Sequence, residues 1–181
     1  MTTLYIYPNQ KFVEEALLSL YDCQRIGTAE HALLILRSSF IDDPKTLVSN
    51  LVLDFSINVK ILFTNTSHPF DSTSVLTFLK QQPLGSYGIS DYLFHCLVFQ
   101  QDEALCNMMR NKIIQLDYEE RNTLHTYIKN NGNTMKSAKE LYVHRNTMTY
   151  RLHKLEQHFD LELNEAKSIH ALAYLLVALK I

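Results

Sequence analysis

Ser137-Ala-Lys-Glu-Leu-Tyr-Val-His-Arg-Asn-Thr-Met-Thr-Tyr-Arg-Leu152 is the stretch that decides how this chain is read. Two short helices joined by a tight turn need a small side chain where they cross, and Ala138 supplies it. They also need apolar side chains to wedge them together; Leu141, Val143, Met148, Leu152 and Leu155 recur at those places. With Met148, Leu152 and Leu155 turned inward, the opposite face shows Arg145, Asn146, Thr149, Tyr150 and His153. Such side chains hydrogen-bond bases and phosphates, and no carboxylate stands between residues 141 and 155. Spacing alone also fits a packed helix pair with a solvated polar face. The chemistry of that face favours a DNA-reading helix-turn-helix within about residues 134–157.

The flanking residues complete a small helical domain. Asp117 can cap a helix with Glu120 three residues on, and that helix runs through Leu124 and Ile128 to Asn130-Asn131-Gly132, which suit a left-handed cap. Thr134 is expected to cap the helix Met135–Leu141, Tyr142-Val143-His144 to form the turn, and Arg145 to about Gln157 to form the third helix. After a connection over Phe159–Leu163, Asn164 is expected to cap a last helix through Leu179, whose nearly all-round apolarity implies burial.

These residues resemble the C-terminal helix-turn-helix of the PucR/CdaR transcriptional regulators, which control purine catabolism and sugar-diacid use among other pathways. The likeness rests on Thr123-Leu124 with Tyr127, then Ala138, Leu141, the Val143–Thr147 core, Tyr150-Arg151-Leu152, and the apolar run Ala171 to Leu179. It covers about residues 115–181 and implies binding to double-stranded DNA. A homodimer is expected because one hairpin reads only a few base pairs, while two on one DNA face reach half-sites about 34 Å apart. The DNA-binding residues expected on this basis are Lys136, Lys139, His144, Arg145, Asn146, Thr147, Thr149, Tyr150, Arg151 and Lys154. Thr147 is expected to cap its helix or to touch a phosphate, and Tyr150 and Arg151 to meet the DNA backbone. Family members carry a sensory domain and a degenerate GGDEF-like domain before the motif. Only about 115 residues precede it here, with no GGDEF string, so cyclase activity and the relatives' effectors are not carried over. An effector, small molecule or protein, is left open.

Upstream, the fold expected is mainly α with a small α/β N-terminal region. Thr3–Tyr7, His31–Leu36 and Val59–Phe63 read as strands; Lys11–Tyr21 reads as a helix with Phe12, Ala16, Leu17 and Leu20 on its inner face. Asp43-Pro44 can open another helix, and a short one is expected around Ser74–Lys80. Beyond Ser90 the chain turns helical, and Leu105, Met109, Ile113 and Leu116 form one stripe, core or dimer seam. The division expected is residues 1–115, possessing the character of a reduced regulatory domain, and residues 116–181, the DNA-binding domain.

Charge and composition narrow the function. The formal net charge of −2 gives no global pull toward nucleic acid, yet Asn133–His158 holds five Lys and Arg against two Glu, a local +3. Cys23, Cys96 and Cys106 form no CxxC pair and read as buried free thiols of a cytoplasmic protein. His153 and His158 read as exposed or phosphate-facing side chains, and Glu119-Glu120 as helix-start carboxylates. Neither a phosphate-binding loop nor a nucleophile motif is present, so no enzyme, cofactor or metal is expected. The alternative from another class is an adaptor or anti-regulator whose helix-turn-helix holds a protein partner.

Overall fold

The computed structural model describes residues 2–8, 11–20, 23–27, 32–36, 46, 58–64 and 70–180. The chain divides into two compact units, Met1–Tyr92 and Leu93–Ile181.

In the first unit β1 (Thr2–Tyr7), α1 (Lys11–Leu20), β2 (Cys23–Gly27), β3 (Ala32–Leu36), β4 (Lys60–Thr64), α2 (Ser72–Gln81) and β5 (Gly85–Tyr87) follow in order. They build a five-stranded sheet of order β2-β3-β1-β4-β5. β1 lies antiparallel to β3, pairing Leu4 with Leu34, and to β4, pairing Leu4 with Phe63; β5 joins β4 in parallel across α2. Consecutive Leu4, Tyr5 and Ile6 are all buried, so both faces of β1 are covered. An aromatic cluster closes the core: Phe70 lies 5.3 Å from Tyr92, and Phe78 lies 5.4 Å from Tyr92 and 5.5 Å from Tyr87. Asp71 caps α2 by accepting from the Ser74 amide at 2.8 Å and its hydroxyl at 2.6 Å, bonds that hold the carboxyl below its ordinary range.

The expected strands at Thr3–Tyr7, His31–Leu36 and Val59–Phe63 are β1, β3 and β4, with His31 itself outside the described residues. β2 and β5 are additions to the sequence reading. The inner face of α1 differs from expectation: Val13 and Leu17 are buried whereas Phe12 is exposed, because adjacent Phe12 and Val13 offer two competing stripes. The Asp43-Pro44 helix start lies outside the described residues, as do the side chains of Ala16, Leu20 and Cys23.

Helix α3 (Ile89–Phe99) leads into the second unit, followed by α4 (Glu103–Ile114), α5 (Tyr118–Lys129), α6 (Thr134–Glu140), α7 (Arg145–Phe159) and α8 (Ala166–Leu179). Asp102 caps α4, accepting from the Leu105 amide at 3.0 Å, and the stripe Leu105, Met109, Ile113 and Leu116 is core. Cys96 and Cys106 are buried free thiols, and burial pushes the Cys106 thiol up. Helix α8 is not apolar core all round: Leu172, Leu175 and Leu176 are buried, but Val177 is 79% exposed and Tyr174 lies outward too. No helix of the described residues is long and apolar enough to cross a membrane.

Candidate nucleic-acid interface

The site is built on the start of α5. Asp117 accepts from the Glu120 amide at 2.8 Å while Glu120 accepts from the Asp117 amide at 3.1 Å, a complete capping box. The helix ends in a Schellman turn: the Gly132 amide donates to the Tyr127 carbonyl at 3.0 Å and the Asn131 amide to Ile128 at 2.9 Å. Asn131 and Gly132 both take positive φ, 50° and 76°. Glycine suits that φ, and a Cβ there would come within 2.7 Å of Ile169 Cδ1 on α8, so the end of the isoleucine side chain would have to shift.

Helix α6 is capped by Asn133, which accepts from the Lys136 amide at 2.9 Å, one residue before the expected Thr134. Thr134 instead lies against the Tyr127 phenol, whose pKa burial raises and Thr134 lowers in part. Ala138 is buried at the crossing, as expected, beside a buried Ser137 whose hydroxyl donates to the Asn133 carbonyl at 2.8 Å. The turn follows as read from the sequence, with Tyr142 in the left-handed region at φ 54°.

Helix α7 starts at Arg145, and its cap is the imidazole of His144, which accepts from the Asn146 amide at 3.2 Å through Nδ1. An accepting Nδ1 places the ring proton on Nε2, directed away from the helix start. His144 thus takes the capping role offered to Thr147. Met148, Leu152 and Leu155 are buried, while Leu141 and Val143 are half-buried. The polar face Arg145, Asn146, Thr149, Tyr150 and His153 is exposed throughout. Thr149 donates its hydroxyl back to the Arg145 carbonyl at 3.1 Å, and His153 contacts Gln157 at 3.0 Å.

The ten expected DNA-binding residues therefore fall into two groups. Lys136, Lys139, His144, Arg145, Asn146, Thr147, Thr149 and Tyr150 are exposed around α6 and the first turns of α7. Among the described residues, the side chains of Lys136, Lys139, Arg145 and Asn146 make no hydrogen bond or ion pair. Arg151 and Lys154 are engaged. Arg151 is only 22% exposed and donates to Glu119 at 2.5 Å; Lys154 meets Glu120 at 2.6 Å. The Lys154 ammonium holds the Glu120 carboxyl below its ordinary range, helped by the Asp117 amide, and Glu120 raises Lys154 in return. Glu119 and Glu120, read from the sequence as helix-start carboxylates only, are thus also partners of the candidate reading helix.

His158 is not exposed as expected: it is half-buried, its Nε2 at 2.9 Å from the Lys112 carbonyl. On α8, Glu165 rather than Asn164 is the cap residue, and it forms no side-chain cap bond; a tight turn from its amide to the Glu162 carbonyl at 3.2 Å precedes the helix. Among the described residues, no group of three or more His, Cys, Asp or Glu is placed to hold a metal ion.

No curated protein matches the chain. The crystal structure of a regulator of polyketide synthase expression from Bifidobacterium adolescentis is similar in fold, with a TM-score of 0.52 and 16% identity, covering 97% of this chain and 78% of that one. Residues 121–181, which hold most of α5 and all of α6 to α8, match the family model of the PucR C-terminal helix-turn-helix domain.

Proposed function

We propose that the chain is a transcriptional regulator that binds double-stranded DNA in a sequence-specific manner, without catalysis, inserting the N-terminal turn of α7 into the major groove. The observation that carries this reading is the state of Arg145 and Asn146: both are exposed in the first turn of α7, and neither side chain is used within the described fold. Arg can read guanine O6 and N7, and Asn can read adenine N6 and N7, each in bidentate fashion. Lys136, Lys139, His144, Thr147, Thr149 and Tyr150 surround them as phosphate and sugar contacts, with Arg151 and Lys154 behind. The PucR-type domain match and the similarity in fold to a Bifidobacterium regulator of polyketide synthase expression support the same reading.

In this proposal residues 116–181 are the DNA-binding domain and residues 1–115 a regulatory region, a reduced GGDEF-like domain open to an effector. The protein acts in the cytoplasm as a homodimer, since one hairpin reads few base pairs whereas two reach half-sites about 34 Å apart.

The test is selection of binding sites from genomic DNA, followed by affinity on the selected and on scrambled duplexes. Arg145→Ala and Asn146→Ala are each expected to cost about 1–3 kcal/mol on the selected site and almost nothing on scrambled DNA. Folded variants that keep the wild-type ratio would remove α7 as the reader and favour the protein-partner alternative.

A further inference from the structure

Two of the cations at the α7 interface face carboxylates of the same fold. Lys154 Nζ lies 2.6 Å from Glu120 Oε1, and Arg151 donates to Glu119 Oε1. Both acids stand in the first turn of α5, and Arg151 and Lys154 lie three residues apart on one side of α7.

The carboxylates are held where they are. Glu120 Oε2 is fixed by the Asp117 amide in the capping box, so Oε1 is presented to Lys154 without further ordering of the side chain. Glu119 sits at the positive end of the α5 dipole, which favours its charge at that spot. A carboxylate and a DNA phosphate compete for the same donors of Arg and Lys. A phosphate that approaches Arg151 or Lys154 meets a cation already partly neutralised by an intramolecular carboxylate.

Resting on the DNA-binding reading above, we infer that Glu119 and Glu120 are affinity-limiting residues of the DNA interface: by occupying Arg151 and Lys154 they subtract phosphate affinity that every DNA sequence would otherwise share. Binding to arbitrary DNA depends almost wholly on phosphate contacts, whereas a cognate site adds base contacts from Arg145 and Asn146. Removing a shared phosphate contribution therefore weakens cognate and arbitrary binding by the same factor and leaves the base-reading increment, and with it their ratio, intact. The local +3 of Asn133–His158 is thus only partly available to DNA.

The experiment uses the full chain and a fluorescein-labelled duplex of random sequence, with anisotropy read over a salt series. Glu119→Gln/Glu120→Gln keeps the capping box, because Gln accepts at the same position, but loses both charges. Glu162→Gln/Glu165→Gln removes the same charge from residues that pair with neither Arg151 nor Lys154. The first variant is expected to bind random duplex about tenfold more tightly at low salt, with a log–log salt slope steeper by up to about two, well beyond the control. Its preference for the selected site over random duplex stays level, and its thermal midpoint is read beside it. Two variants that bind alike, both measurably, overturn the inference and leave the DNA reading standing. Wild type and both variants all failing to bind duplex at low salt overturns the DNA reading, and the inference with it. Should the double variant melt early, Glu119→Gln alone carries the test, with an expected steepening of about one.

Discussion

The amide of Val143 donates to the carbonyl of Ala138 across 3.0 Å, the outer bond of a Schellman turn whose inner bond joins Tyr142 to Lys139 at 3.2 Å. The apex of that turn is Tyr142, 97% exposed and at φ 54°, a conformation that only glycine adopts without steric cost. Tyr142→Gly is therefore expected to raise stability by up to about 1 kcal/mol, and Tyr142→Val to lower it. Denaturant unfolding of the two variants reads both signs; a Gly variant less stable than wild type would mean that the ring has a packing role.

Ala138 is the carbonyl side of the same bond and is buried where α6 crosses its neighbours. Ala138→Leu is expected to overpack the crossing and destabilise by about 1–3 kcal/mol, with loss of DNA affinity following loss of fold. Circular dichroism melts run beside affinity measurements check that order of events.

Gly132 and Ile169 form a tight contact between the end of α5 and α8. Gly132→Ala meets Ile169 Cδ1 at 2.7 Å and also suffers at φ 76°, for an expected loss of about 1–3 kcal/mol. Ile169→Val removes the offending methyl, so the double variant should recover the steric share and not the backbone share. A double-mutant cycle measures the coupling, and strictly additive losses would refute the contact as the cause.

His95 is buried beside Phe99, with ring centroids 4.6 Å apart, and burial holds its pKa below the usual imidazole range against an opposing bond from Gln101. A lowered folded-state pKa means that the unfolded chain binds more protons once the pH drops below about 6.5. The contribution is fully present above that pH and is lost as the pH falls through the folded value. The stability advantage of wild type over His95→Leu should shrink from about pH 6.5 downward, before the carboxylates titrate. Denaturant midpoints at a series of pH values test this, and parallel curves for the two proteins would refute it.

Lys136 and Lys139 have no intramolecular partners among the described residues, unlike Lys154. Each replaced by Ala should weaken all duplexes alike and flatten the salt slope by about one, whereas Lys154→Ala should flatten it less. Equal flattening by all three would mean that Glu120 yields to DNA freely.

The hairpin was legible because its determinants repeat every three or four residues: Met148, Leu152 and Leu155 announce one face, and Arg145 to His153 the other. The ion pairs were not legible, since Glu119 and Arg151 stand 32 positions apart and only folding brings them together. Caps slipped by one residue where two polar neighbours competed, as with Asn133 beside Thr134. Strand β2 has no clear sequence signal, because Cys23-Gln-Arg-Ile-Gly27 has little strand propensity and is held by its pairing to β3, Ile26 opposite Leu33. The core stripe of α4 was visible, and its depth of burial settles it as core.

The hydrogen bond between His158 and Lys112 gives α7 a mechanical meaning. A carbonyl only accepts, so the ring carries its proton on Nε2 and fastens the last turn of α7 to the end of α4. From His158 back to Arg145 the helix is one uninterrupted rod of about 20 Å. Whatever tilts α4 levers the far tip of that rod, and the tip carries the side chains proposed to read bases.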